Sequence, residues 1–239
     1  MNSLPTASTP MTIDPSRRAV APPWHTAVVL LVLLGLSVLG ARQQGLPSVG
    51  HGRVAGYLTV MALEWVLTAF IWFGIRRRGM PLRELIGGSW PTLRAVLRDL
   101  GIACLYLIAA HLVLAALGYL LRVTPTPGVR SLFPNGPIED ALWVMLSLTA
   151  GICEEIIFRG YLQRQFAALT RSTAAGLILQ GVVFGASHGY QGPKYMCIIA
   201  VYGCLFGLLA YWRRSLRPGM MAHFVQDTIG GLVGRHFLK

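Results

Sequence analysis

The chain has 239 residues, of which 54% are hydrophobic and only 13% charged, and its mean hydropathy is +0.56. Soluble domains run nearer a quarter charged, so an ordinary soluble domain, a disordered chain and a disulfide scaffold are excluded, and the apolar excess belongs against lipid. The formal charge of +12 would suggest nucleic acid in a soluble protein, but here the basic residues fall in short segments between apolar runs, with no basic stripe interleaved with exposed aromatics.

Residues 1–23, rich in Ser, Thr and Pro, cannot bury enough surface to fold and are expected to form a disordered cytoplasmic tail. Residues 24–239 then read as one transmembrane helical domain. Its apolar runs cover 24–41, 54–75, 100–121, 138–158, 174–188, 195–212 and 220–237. Several reach the roughly 20 residues needed to cross the hydrocarbon, and flanks can extend the others. The expected fold is therefore an all-α polytopic bundle of about seven transmembrane helices. Small residues at Gly40 and Ala41 would also suit a cleaved signal, although the first run is long for one.

Assigning alternate loops to opposite sides yields an orientation. One side takes 14 basic residues, among them Arg17, Arg76, Arg77, Arg78, Arg164, Arg171, Arg213 and Arg217; the other takes seven, Arg42, Arg53, Arg122, Arg130, Lys194, Arg235 and Lys239. The excess places the first side, and the N-terminus, in the cytoplasm, with the protein in a bacterial cell membrane. Cys104, Cys153, Cys197 and Cys204 lie in apolar runs without a C-x-x-C pair and read as small buried hydrophobes.

A charged group at mid-helix costs about 2.5 to 3.5 kcal/mol on insertion scales, so ionisable residues inside apolar spans need a reason. Glu154, Glu155 and Arg159 sit in the fourth run, His188 ends the fifth, and His223 and Asp227 lie in the seventh. Glu155 and Arg159 are at i and i+4 with the acid first, the favourable order for an ion pair on one face. Glu154, turned about 100° away on the 3.6-residue period, is left to face something else. His223 and Asp227 share the same i, i+4 relation.

Depth brings these segments together. With the turn near Arg171 as a hairpin tip, Glu154 lies 17 residues before it and His188 17 after. His223 is only six residues past Arg217, so a shared level requires the fourth and fifth helices to protrude roughly 15 Å further into the cytoplasm. Such a set suits water activation. A carboxylate and an imidazole on one water can act as base and acid, and a second imidazole with a polar partner can stabilise an oxyanion. Glu154, His188 and His223 could instead hold zinc, so the cofactor is either none or zinc. A third possibility is a buried network that only ties helices together.

At these residues the sequence resembles the CAAX protease and bacteriocin-processing (CPBP) intramembrane proteases, related to the type II CAAX prenyl endopeptidases. The family pattern E-E-x-x-x-R, F-x-x-x-H and H-x-x-x-N/D runs in order from Glu154 to Asp227. The resemblance implies that Glu154 and His188 activate the hydrolytic water, that His223 and Asp227 bind the oxyanion or substrate, and that Glu155 with Arg159 braces the site. The implied reaction is peptide-bond hydrolysis in a membrane-anchored protein or peptide at the cytoplasmic face of the bilayer. Asp at position 227 rather than Asn would have to be protonated to donate, or else orient His223. Residues 1–130 carry no matching motif.

Two further residues, Glu64 and His111, lie at the middle of the second and third spans and are expected to hydrogen-bond to each other between neighbouring helices. They motivate an alternative, a small proton-coupled transporter; a non-catalytic immunity or scaffold protein is a third. Trp24, Trp72, Trp90, Trp143 and Trp212 fall mostly near span ends, as interfacial belts do.

Overall fold

A computed structural model describes residues 19–43, 52–124 and 126–237. Ten α-helices follow in chain order: α1 Pro23–Gln43, α2 Arg53–Arg76, α3 Leu82–Ile86, α4 Leu93–Leu120, α5 Pro127–Leu132, α6 Pro137–Glu154, α7 Gln163–Thr170, α8 Thr173–Ala186, α9 Pro193–Arg213 and α10 Arg217–Phe237. A π-helical stretch, Glu155–Leu162, joins α6 to α7, and a 3₁₀ turn, Gly189–Gln191, joins α8 to α9. No strand occurs among the described residues.

The local reasons for these ends are legible. Thr92 and Ser172 cap α4 and α8 by accepting the Ala95 and Ala175 N–H groups, which satisfies otherwise orphaned donors. Proline occupies the first position of α6 and α9, where its missing N–H costs nothing. Gly192, at φ 94°, makes the left-handed turn that releases the chain from the 3₁₀ turn into α9.

Among the described residues, five helical stretches are long and apolar enough to cross a bilayer: 23–42, 53–76, 93–120, 137–170 and 193–213. The expected count of seven is not reached on these terms. Helix α8 is apolar but only 14 residues long, about 21 Å at 1.5 Å per residue. Helix α10 has the length, yet its sequence is diluted by His223, Gln226, Asp227 and several glycines. Large apolar side chains cover the outside of the bundle, with Leu105, Ile108, Leu112 and Leu120 on α4 each more than 60% exposed. A surface of that kind is stable against lipid rather than water.

Helix α2 packs chiefly on α6, whereas α4 packs on α10 and α9. Glu64 and His111 are thus not partners. His111 is exposed and its Nδ1 donates to the Leu107 carbonyl of its own helix at 2.7 Å, which removes the pair on which the transporter alternative rested. Of the four cysteines only Cys153 is buried; Cys104 and Cys197 lie on the outer surface. Most of the tail 1–23 falls outside the described residues, but Val20 and Ala21 are buried and their N–H groups donate to Gln165 Oε1 at 2.9 and 3.2 Å.

The segments after α2 and α9 meet the start of α7 at one end of the bundle. Leu216 N–H donates to Ile86 O at 2.9 Å, and Arg164 Nη2 to Leu85 O at 3.1 Å. Gly160 is level with these loops, since a Cβ there would lie 3.1 Å from both Leu85 and Leu216. The hairpin of α7 and α8 therefore extends past the start of α10, as the depth argument requires.

Candidate active site

The π stretch begins where the two adjacent glutamates part. Glu154 is the last residue of α6 and keeps 17% side-chain exposure, whereas Glu155 is fully buried. A π turn widens the helix locally and often marks a functional segment. Here it delivers Glu155 inward, where Gly219 makes room; a Cβ at that position would lie 2.9 Å from Glu155 Oε2.

Glu155 Oε1 meets Arg159 Nη1 at 3.0 Å and His223 Nδ1 at 3.1 Å. The first contact is the i, i+4 ion pair expected from spacing. The second draws α10 into the same group. Two unpaired charges would be costly in such a dry setting, so the arrangement requires both partners. The Arg159 guanidinium also lies over the rings of Phe184 and Phe206, 4.2 and 4.8 Å from their centroids, a cation–π enclosure that holds a desolvated cation without water.

His223 is buried, with carboxylates at both ring nitrogens. Nδ1 faces Glu155, while Nε2 lies 3.5 Å from Glu154 Oε2 and 3.4 Å from Asp227 Oδ2. Asp227 keeps 35% side-chain exposure, and its backbone carbonyl accepts from Trp143 Nε1 at 2.8 Å. Trp143 is accordingly an internal strut, not part of an interfacial belt, and α10 comes close to it at Gly231.

His188 follows α8 in the turn, half-buried. Its Nδ1 is 2.8 Å from Phe184 O and 3.2 Å from Ser187 Oγ. A carbonyl only accepts, so Nδ1 carries the proton and Nε2 is the nitrogen left to face the site. Phe184 stands between the two histidines, with ring centroids 4.9 Å from His188 and 6.1 Å from His223.

Several contributors escaped the sequence argument. Ser37 of α1 donates to Ala186 O at 2.6 Å and accepts from Gly189 N–H at 3.1 Å, so the first helix pins both sides of the His188 turn. Tyr190 interacts with His188 at 5.8 Å between ring centroids and with the charges of Glu154, Asp227 and Glu64. Burial, reinforced by those carboxylates, pushes its phenol up. Glu64 lies within electrostatic reach of Glu154, His223 and Asp227. It belongs beside this site rather than beside His111.

Among the described residues no group of three or more His, Cys, Asp or Glu is arranged to hold a metal ion. The zinc set considered from sequence, Glu154, His188 and His223, is therefore not among such groups.

Residues 139–229 match the family model of the type II CAAX prenyl endopeptidase Rce1-like proteins. The uncharacterized protein YpbD of Bacillus subtilis (strain 168) is 32% identical over 88 residues, which is 36% of this chain and 42% of that relative. The match thus spans less than half the length of that curated relative. No solved structure matches. The chain is a multi-pass, all-helical membrane protein, and its segment 139–229, which carries Glu154, Glu155, Arg159, His188, His223 and Asp227, matches the Rce1-like type II CAAX prenyl endopeptidases, in line with the CPBP resemblance of its motifs.

Proposed function

We propose that the protein is an intramembrane endopeptidase that hydrolyses a peptide bond of a membrane-anchored protein or peptide near the cytoplasmic face of the bilayer. The observation that carries this is the division of labour at the paired glutamates. Glu155 is fully buried and spent on Arg159 and His223, whereas Glu154 retains exposure and has no cation of its own besides His223. A braced carboxylate beside a free one is what a water-activating site needs.

In the proposed step, Glu154 and the Nε2 lone pair of His188 hold the water. Glu154 removes its proton as the oxygen adds to the peptide carbonyl. His223, kept in orientation by Glu155, donates from Nε2 to the developing oxyanion, and the pre-set geometry makes that donor effective. Asp227, at 3.4 Å from the same nitrogen, orients His223. Every step in this scheme is carried by the chain's own residues.

The N-terminus and the arginine-rich end are assigned to the cytoplasm on the 14 to seven split of basic residues. Detergent-purified protein should cleave members of a library of membrane-anchored peptides, with mass spectrometry locating the scissile bond. Glu154→Gln run alongside should leave the same peptides intact; equal cleavage by both would remove Glu154 from the reaction.

A further inference from the structure

Helix α2 turns one stripe toward α6: Tyr57, Met61, Thr68, Ile71 and Ile75 are buried along it. Their spacing of four and three residues includes position 64 between Met61 and Thr68, so a helix that packs along this stripe carries Glu64 inward with it. Glu64 Oε2 is buried and has no hydrogen-bond partner. A carboxyl oxygen left unsatisfied in a membrane bundle is expensive, and such residues face a cavity or a reacting group.

The surroundings identify that group. Glu64 interacts electrostatically with Glu154, His223 and Asp227. The Cys153 thiol, adjacent to Glu154, is influenced by Glu64 and Glu154 together, and the Tyr190 phenol by Glu154, Asp227 and Glu64. Two groups, on α6 and the 3₁₀ turn, thus place Glu64 close to Glu154. Charge arithmetic then limits its state. Glu64, Glu154, Glu155 and Asp227 gather near one guanidinium and two imidazoles, His188 and His223, so the four carboxyls outnumber the available cations even with both rings protonated, and Arg159 is already matched by Glu155. Like charges this close cannot all persist in a dry interior, so a carboxyl keeps its proton; Glu64 and Glu155 each leave a buried oxygen without a donor, but Glu155 holds Arg159 and His223 through its other oxygen, which leaves Glu64 as the protonated one.

We propose that Glu64 is a further catalytic residue of this site, the proton donor to the leaving nitrogen. The inference rests on the peptidase function proposed above. Glu154 takes a proton from the water as the water oxygen bonds to the carbonyl carbon. When the C–N bond breaks, its electron pair goes to nitrogen, which takes the proton from Glu64. The products are a carboxylic acid and an amine, and the proton on Glu154 passes to Glu64, restoring both groups. Two carboxyls with separate duties explain why a third acid faces a pair that already holds its water.

The test uses the full-length protein in detergent, with wild type, Glu64→Gln and Glu154→Gln compared on a membrane-anchored peptide that the wild type cleaves and on its thioester counterpart. A thiolate leaves without a proton, so Glu64→Gln should slow the peptide by about 10²-fold or more and leave the thioester near the wild-type rate. Glu154→Gln should slow both. Equal slowing of both substrates by Glu64→Gln, or of neither, overturns the assignment. Infrared absorbance of the substrate-free protein gives a second readout: Glu64→Gln should remove a neutral-carboxyl C=O band, and an unchanged band would overturn the proposal even for an active peptidase. If wild type and Glu154→Gln behave alike on both substrates, the peptidase function itself fails and the acid role falls with it.

Discussion

His223 Nδ1 lies 3.1 Å from Glu155 Oε1, and the same oxygen is 3.0 Å from Arg159 Nη1. One carboxylate oxygen thereby ties the π stretch to α10 and fixes which face of the imidazole meets Glu154. Removing it strands a buried guanidinium. Glu155→Ala should therefore destabilise the protein by about 3 to 5 kcal/mol, visible as a clear drop in the melting temperature of the detergent-solubilised protein. An unchanged melting temperature would mean that Arg159 has another partner.

The His188 turn depends on α1 through Ser37, which bonds Ala186 O and Gly189 N–H. Ser37→Ala should cost about 1 kcal/mol of stability and lower kcat more than it raises KM, because the turn that aims His188 loosens while substrate contacts remain. Wild-type kcat in a well-folded Ser37→Ala variant would show that α1 does not set the histidine.

Topology can be checked with reporters. The bond from Leu216 N–H to Ile86 O puts the loops after α2 and α9 on one side. Fusions after Arg78 and after Arg217 should both read cytoplasmic, and one after Lys239 should read extracytoplasmic. Opposite locations for the first two fusions would contradict the packing, and a cytoplasmic C-terminus would require α8 or α10 to fall short of spanning.

The site was legible in the sequence where a helical period acts locally. The i, i+4 spacing gave the Glu155–Arg159 pair, and the 100° offset separated Glu154 from Glu155. Beyond Arg159 the period fails, because the π stretch has a wider turn. Tyr161 and Gln165 consequently reach α1, bonding His25 and Thr26 in one case and the backbone of Val20 and Ala21 in the other. Glu64 differs from its expected pairing for another reason. Helices consecutive in sequence need not be neighbours in space, and here α2 packs on α6 and α4 on α10 and α9. The buried stripe on α2 was a usable signal, but nothing in the sequence says which helix a stripe will meet.

A metal-free mechanism has its own consequence. Exhaustive chelation should leave activity and melting unchanged, and Asp227→Asn should retain activity, since an amide can orient or donate without needing a proton. Stoichiometric zinc that is lost with activity and restores it on return would replace this mechanism with one in which Glu154, His188 and His223 rearrange as ligands.

The most direct measurement is the turnover of Glu154→Gln and His188→Ala on a verified membrane peptide, with melting recorded in parallel. Glu154 keeps a partly exposed side chain and His188 hydrogen-bonds through Nδ1 within its own turn and helix end, so both variants should remain folded. Each should lose about 10²- to 10⁴-fold in turnover with little change in melting temperature. Wild-type turnover in both variants would contradict water activation by this pair.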